Sequence, residues 1–301
     1  MKQKTLYLII ISLLILFTIS IAFTGPADPS STDNKSVFQK IVPPPVPAEV
    51  NFAGEKVPIE EYDIFERLDR EITVNSFFHS QTIRYLKLTK RYFKIIEPIL
   101  KKNNIPEDFK YLALAESGFD PKAVSPSGAA GIWQFMKSAA KENGLEISDD
   151  VDERYNIEKA TEAACLYLKK SHSVYGNWTL VAASYNTGNS SVSQQIQSQK
   201  ENNYYNLLFS EETNRYVFRI LALKYIIESP EKYGFFVKDS EVYPEIKFKN
   251  VEVKEGIPDL AAFAKGKGTN YKMLKILNPW LRSTSLKNES KKSYLIKMPE
   301  K

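Results

Sequence analysis

Cysteine is almost missing from this chain of 301 residues: Cys165 is the single one. That excludes an intramolecular disulfide. Cys165 falls in the apolar pattern of Ala160, Ala163, Ala164, Tyr167 and Leu168, and reads as a small buried hydrophobe. Histidine is nearly as scarce, with His79 and His172 on separate predicted helices. No Cys, His and Asp cluster has ligand spacing, so no metal site is expected. Long apolar runs are limited to one, from Leu6 to about Phe23, preceded by Lys2 and Lys4 and ending near Ser20-Ile21-Ala22. It reads as a secretory signal peptide, and is also long enough to be an uncleaved membrane anchor. No cysteine follows it, which argues against a lipoprotein. Excess charge is missing from most of the chain. Residues 238–301 carry 14 Lys/Arg against 8 Asp/Glu, a net +6, while the whole chain is +5 and the remainder therefore −1. A basic C-terminal segment suggests an anionic polymer as partner, and the secretion signal argues against nucleic acid.

What is present is globular. The hydrophobic fraction of 43% and charged fraction of 26% are ordinary for a folded domain, and the length allows one large domain or two small ones. The informative stretch is Pro106 to Met136. Pro106 suits the first turn of a helix, and Glu107 and Asp108 favour that end electrostatically. Phe109, Leu112 and Glu116 stand at i, i+3 and i+7, so they share one helix face. Glu116 is thereby placed toward the core, where an apolar setting raises a carboxyl pKa toward the range of a general acid. Ser125-Pro126-Ser127-Gly128 reads as a turn. Gly128 to Gly131 is a small-residue stretch where backbone can approach a ligand. Trp133, Gln134 and Met136 offer a stacking surface, an amide and a soft apolar contact.

Glu116-Ser117, followed by Ser127-Gly128-Ala129-Ala130-Gly131-Ile132-Trp133-Gln134-Phe135-Met136, resembles the Glu-Ser and Gly-Leu-Met-Gln blocks of the soluble-lytic-transglycosylase-type domain. Ala183-Ser184-Tyr185-Asn186-Thr187-Gly188 is similar to that family's Ala-Tyr-Asn-Ala-Gly block. Glu212-Thr213-Asn214-Arg215-Tyr216-Val217 is similar to its Glu-Thr-x-x-Tyr-Val block. Three blocks in order, across roughly residues 59–236, make the resemblance specific.

The rest of the chain follows in order. Residues 1–23 are the signal peptide or anchor, and 24–55 a Pro- and Ser-rich linker expected to be solvated. Residues 56–237 read as a helical catalytic domain. Ile64, Phe65 and Leu68 mark one helix; Ile83, Leu86, Ile96 and Leu100 mark a longer one that Pro98 should kink or end. Asp152-Glu153-Arg154 suggests a cap and ion pair before a helix running to Tyr175. Helices over 178–186 and 212–227 follow. Residues 238–301 alternate as short strands (245–249, 251–253, 294–296) around two short helices (260–264, 271–277). This β-α-α-β order resembles a LysM-type module, although Gly256-Ile257-Pro258-Asp259 replaces the usual Gly-Asp-Thr entry. A structural cap and a glycan-binding module both stay open.

The fold expected is therefore mainly α, a lysozyme-like helical catalytic domain followed by a small α+β LysM-like module. The resemblance implies a lytic transglycosylase with Glu116 as its lone acid and base and no metal or organic cofactor. It implies that Tyr185 orients Glu116, that Ser117 supports it from beside, and that Ser125, Gln134, Met136, Asn186 and Glu212 meet the glycan. The implied partner is peptidoglycan, met by a monomer in the bacterial cell envelope, periplasmic, secreted or membrane-anchored through the N-terminal segment. A lysozyme-like muramidase and a non-catalytic wall-binding protein remain as rival readings. Trp133 replaces the commoner Leu or Met, and either lines a subsite or fills the core.

Overall fold

The computed structural model describes residues 41–300. The expected signal or anchor and the first part of the linker lie outside the described residues. The linker reading fails at its C-terminal end. Residues 51–56 form a hairpin of β1 (Asn51–Phe52) and β2 (Glu55–Lys56), paired antiparallel through Phe52 and Glu55. Ala53 and Gly54 take φ of 54° and 84°, the pair of positive angles a tight two-residue turn needs. Val50, Phe52 and Val57 are buried, and Phe52 meets Phe109 edge to face with centroids 5.4 Å apart. Burying one such aromatic stabilises by about 2–3 kcal/mol, enough to pull the end of a Pro-rich segment into the domain.

The helices follow in order: α1 (Tyr62–Phe77), α2 (His79–Lys102), α3 (Phe109–Ser117), α4 (Lys137–Glu142), α5 (Ile157–Tyr175), α6 (Trp178–Thr187), α7 (Asn189–Gln199) and α8 (Glu211–Glu228). In α1, Ile64, Leu68 and Ile72 are buried, whereas Phe65 faces solvent. Pro98 does not end α2, which runs on to Lys102. Pro98 and Lys94 are both exposed, so the carbonyl that loses its N–H partner can turn to water. Asn156 caps α5 by accepting from the Lys159 N–H, and Gly176 ends it in the left-handed conformation. Sequence reading missed α7, where Val192 is the only buried residue and no apolar stripe betrays the helix.

Helix α8 runs through the middle. Its Tyr216, Val217, Phe218, Ile220, Leu221, Ala222, Leu223 and Ile226 are all buried, the mark of a helix covered on every side. Helices α1, α3 and α6 pack against it. The hairpin braces two of these helices. The Glu55 carboxylate accepts from Trp178 N at 2.5 Å, Thr179 N at 3.0 Å and Thr179 Oγ1 at 2.7 Å, capping α6. An anion at a helix N-terminus satisfies its free N–H groups and its dipole. Asp108 joins the start of α3 to α8 through Lys224 at 2.8 Å, and accepts from Ala53 N at 2.6 Å.

The C-terminal region contains β3 (Phe248–Val253), α9 (Leu260–Gly266), α10 (Tyr271–Leu277) and β4 (Tyr294–Pro299). The two short strands expected at 245–249 and 251–253 are one strand. It pairs antiparallel with β4, Val251 opposite Ile296. Its core of Ile257, Leu260, Leu274, Trp280, Leu281, Ile296 and Met298 is continuous with Ala130, Val151 and Tyr155 of the helical region. Asp152 N donates to Trp280 O at 2.9 Å, and Arg282 N to Asp150 O at 2.7 Å. The architecture is thus a mainly helical domain followed by a small α+β region with a two-stranded sheet, as expected. Among the described residues, no helix is long and apolar enough to cross a membrane.

Candidate active site

Helix α3 carries Glu116 in its last turn. Phe109 and Leu112 on the same face are fully buried, so the shared register delivers the carboxyl group against the core. The helix stops at Gly118, whose φ is 59° and whose N–H returns to Leu114 O at 2.8 Å. A side chain there would press on Tyr85, whose Cε1 lies 2.7 Å from where a Cβ would stand. Burial pushes the Glu116 pKa up from 4.5 to about 7. The Tyr216 hydrogen bond and the Arg219 charge work against the rise, and the Glu212 charge adds to it. The carboxyl group therefore keeps its proton into the neutral range.

Tyr216, buried in α8, donates its hydroxyl hydrogen bond to Glu116 Oε1. This corrects the expected role of Tyr185. The Tyr185 hydroxyl instead donates to Trp133 O at 2.7 Å, and burial first, then the Glu116 charge, raises its pKa. Tyr216 lies in the Glu-Thr-x-x-Tyr-Val block, four residues after Glu212 and so on the same face of α8. That spacing was the available signal. Arg219, one turn further, is the second group missed; its Nη1 donates to Glu212 Oε1 at 2.9 Å.

The loop over residues 123–136 forms the other wall. Gly128 N closes the turn on Ser125 O at 2.9 Å, and Ala130 pairs with both Val124 and Phe135. A Cβ on Gly131 would stand 1.8 Å from Arg154 O, so the loop's glycine serves a close approach of backbone to backbone. Arg154 Nη1 donates to Gly128 O at 2.9 Å and Phe135 O at 3.1 Å. The buried Asp152 carboxylate holds that guanidinium at 2.7 Å. The Asp-x-Arg pattern is thus a clamp on this loop.

The remaining expected residues divide. Ser117 Oγ donates to Ile132 O at 2.9 Å and to Ala113 O at 3.2 Å, so it ties the loop to α3 rather than supporting the Glu116 carboxyl group. Trp133 is fully buried with Nε1 on Thr161 Oγ1 at 2.9 Å, which makes it core and not a subsite wall. Gln134, held at φ 48°, spends its amide N–H groups on Gly131 O at 2.8 Å and Ala123 O at 3.3 Å. Ser125 Oγ accepts from Ala129 N at 3.0 Å. Met136 is exposed. Asn186 Oδ1 accepts from Thr213 Oγ1 at 2.9 Å, linking α6 to the first turn of α8. Glu212 is exposed on that turn, its pKa lowered first by the Arg219 hydrogen bond.

Residues 93–208 match the Transglycosylase SLT domain, and residues 249–301 match the Soluble lytic transglycosylase C-terminal LysM-like domain. Membrane-bound lytic murein transglycosylase D of Escherichia coli strain K12 is 32% identical over 191 residues, which are 61% of this chain and 41% of that protein. The chain thus spans well under half of that relative's length. The 70 kDa soluble lytic transglycosylase of Escherichia coli shares 22% identity over 51% of this chain and 27% of its own, with a TM-score of 0.40. An inactive mutant of lytic transglycosylase Slt from Pseudomonas aeruginosa shares 21% identity over 50% of this chain and 26% of its own, with a TM-score of 0.39. The chain thus carries an SLT transglycosylase domain followed by a LysM-like C-terminal domain, and over these it is similar to lytic transglycosylases.

Proposed function

We propose that the chain cleaves peptidoglycan as a lytic transglycosylase, breaking the β-1,4 bond between N-acetylmuramic acid and N-acetylglucosamine and leaving 1,6-anhydro-muramic ends. The observation that carries this reading is Glu116, a carboxyl group whose pKa burial raises to about 7 while Tyr216 fixes its Oε1. Oε2 then presents the acid proton. Glu116 gives it to the glycosidic oxygen as the C1–O bond breaks. The carboxylate so formed takes the proton of the muramic C6 hydroxyl, whose oxygen bonds to C1. Proton, electron pair and leaving group balance, and the acid is restored.

Hydrolysis with two carboxylates would need a second one free to act. Glu212 is the acidic neighbour, and Arg219 holds it in an ion pair. With the nucleophile tethered to the reacting sugar, a lone acid and base is sufficient. The tether removes up to ~7 kcal/mol of entropic cost. Ser125, Gln134, Met136, Tyr185, Asn186 and Glu212 are the glycan-facing positions in this reading, with Ser117 holding the loop behind them. Peptidoglycan as substrate places the enzyme in the bacterial cell envelope, periplasmic and secreted or anchored through its N-terminal segment. It works as a monomer and engages no nucleic acid.

Mass spectrometry of purified cell wall after digestion tests the reading. Anhydro-muramic products are expected, and Glu116→Gln is expected to lower turnover at least about a hundredfold. Reducing muramic ends would make the enzyme a muramidase. Unchanged activity in the Gln variant would remove Glu116 from the mechanism.

A further inference from the structure

Glu71 on α1 has no place in the chemistry above, yet it is a carboxylate only 1% exposed. Its Oε1 accepts from Arg215 Nε at 2.6 Å. Its Oε2 is buried with no hydrogen-bond partner and lies 3.7 Å from Arg219 Nε. An unsatisfied buried carboxylate oxygen is costly and calls for a reason. Arg219 follows Tyr216 by one turn of α8, and its far side is engaged by Glu212 at 2.9 Å. Glu212 therefore hydrogen-bonds, and Glu71 faces at 3.7 Å, one guanidinium whose charge favours the ionised form of Glu116. Burial opposes the charge of Arg219, and the Glu212 hydrogen bond, the Glu212 charge and the Glu71 charge outweigh it.

We propose that Glu71 is a positioning residue, which together with Glu212 fixes the place of the Arg219 guanidinium between α1 and the first turn of α8. The proposal rests on the reading of Glu116 as the acid. The groups facing Glu116 are Tyr216, Arg219 and Glu212 from α8 and Tyr185 from α6. From α2, Tyr85 and Arg84 stand beside Gly118, two residues further along the chain, and Arg84 Nη1 donates to Gly118 O at 2.8 Å. Among these charged groups, Arg219 is the one Glu71 reaches. Losing Glu71 frees that cation to lean toward the acid, and an opposite charge within ~4–6 Å lowers a carboxyl pKa by one or more pH units.

The test is a carboxyl carbon NMR titration of the full chain, with the Glu116→Gln spectrum assigning the signal. Glu71→Gln is expected to lower the Glu116 midpoint by about one pH unit, and Arg219→Gln to raise it. The double variant is expected to match Arg219→Gln, because Glu71 acts through the guanidinium. An unmoved or raised midpoint in Glu71→Gln overturns the proposal, as does a double variant that keeps the Glu71→Gln drop. If Glu71→Gln fails to fold, Arg219→Gln decides, and a midpoint that does not rise overturns it. The titration reads protonation without turnover. Activity surviving in Glu116→Gln would therefore sink the mechanism while leaving these midpoints to stand or fall separately.

Discussion

Glu116 and Tyr216 meet across 100 positions of sequence, and this pair shows what a sequence can carry at the scale of one residue. The inward face of Glu116 was legible from Phe109 and Leu112, because helical register alone decides it. Its partner was not, since two block-borne tyrosines were available and only packing selects between them. Tyr216→Phe removes a hydrogen bond that lowers the Glu116 pKa. The basic limb of the pH–rate profile should therefore move upward. Turnover should fall roughly tenfold to a hundredfold as the carboxyl group loses its orientation, the effect of a hydrogen bond worth ~1.5–3 kcal/mol. A pH profile of kcat on soluble glycan strands reads both effects.

The raised pKa also has a consequence for stability. The carboxyl group binds its proton more tightly folded, with a pKa of about 7, than unfolded, near 4.5. The folded state is not penalised below about 4.5, and the penalty grows as pH rises through 7, reaching about 3 kcal/mol. Glu116→Gln removes the penalty. It should match the parent at pH 4 and exceed it by about 3 kcal/mol at pH 8 in denaturant unfolding; a gain independent of pH would contradict the buried acid.

At the scale of elements, the loop over residues 123–136 is the most constrained piece of the site. Its small residues suggested an approach to ligand, and at Gly131 the approach is to Arg154 backbone instead. Gly131→Ala would force a left-handed φ of 79° and a contact of 1.8 Å. It should cost about 3 kcal/mol or more, whereas Gly128→Ala, with nothing within 4 Å of the added carbon, carries only the backbone strain. Thermal unfolding of the two variants measures the difference. Elements with a strong apolar period, such as α5 and α8, were legible. Those that depend on tertiary partners were not: β1 and β2 gain their place from Phe109 and α6, α7 has a single buried residue, and Pro98 is tolerated only because its face is wet.

At the scale of the whole molecule, the basic C-terminal region was legible as a separate composition but not as an attached one. Its cations meet an acidic edge of the helical domain. Lys292 pairs with Glu146 at 2.6 Å and Lys297 with Glu158 at 2.5 Å, while Lys287 N donates to the Asp150 carboxylate at 2.8 Å. The Arg282 guanidinium lies 4.1 Å from the centre of the Tyr155 ring. Part of the net +6 is thus spent inside the chain rather than held for a polymer. Trp280 is the apolar centre of this seam, 3% exposed and stacked on Tyr294 with centroids 5.6 Å apart. Its carbonyl also receives Asp152 N, beside the carboxylate that clamps Arg154. Because Ala130, Val151 and Tyr155 of the helical region are packed into the core of the C-terminal region, the protein should unfold in a single calorimetric transition. Trp280→Ala should lower its stability by roughly 3–5 kcal/mol, as a buried Trp truncation does. It should also reduce turnover through the loosened Asp152–Arg154 clamp without moving the Glu116 midpoint. Two separate transitions in the parent protein, or a variant whose helical domain melts at the parent temperature, would mean that the C-terminal region is tethered to the helical domain without bracing it.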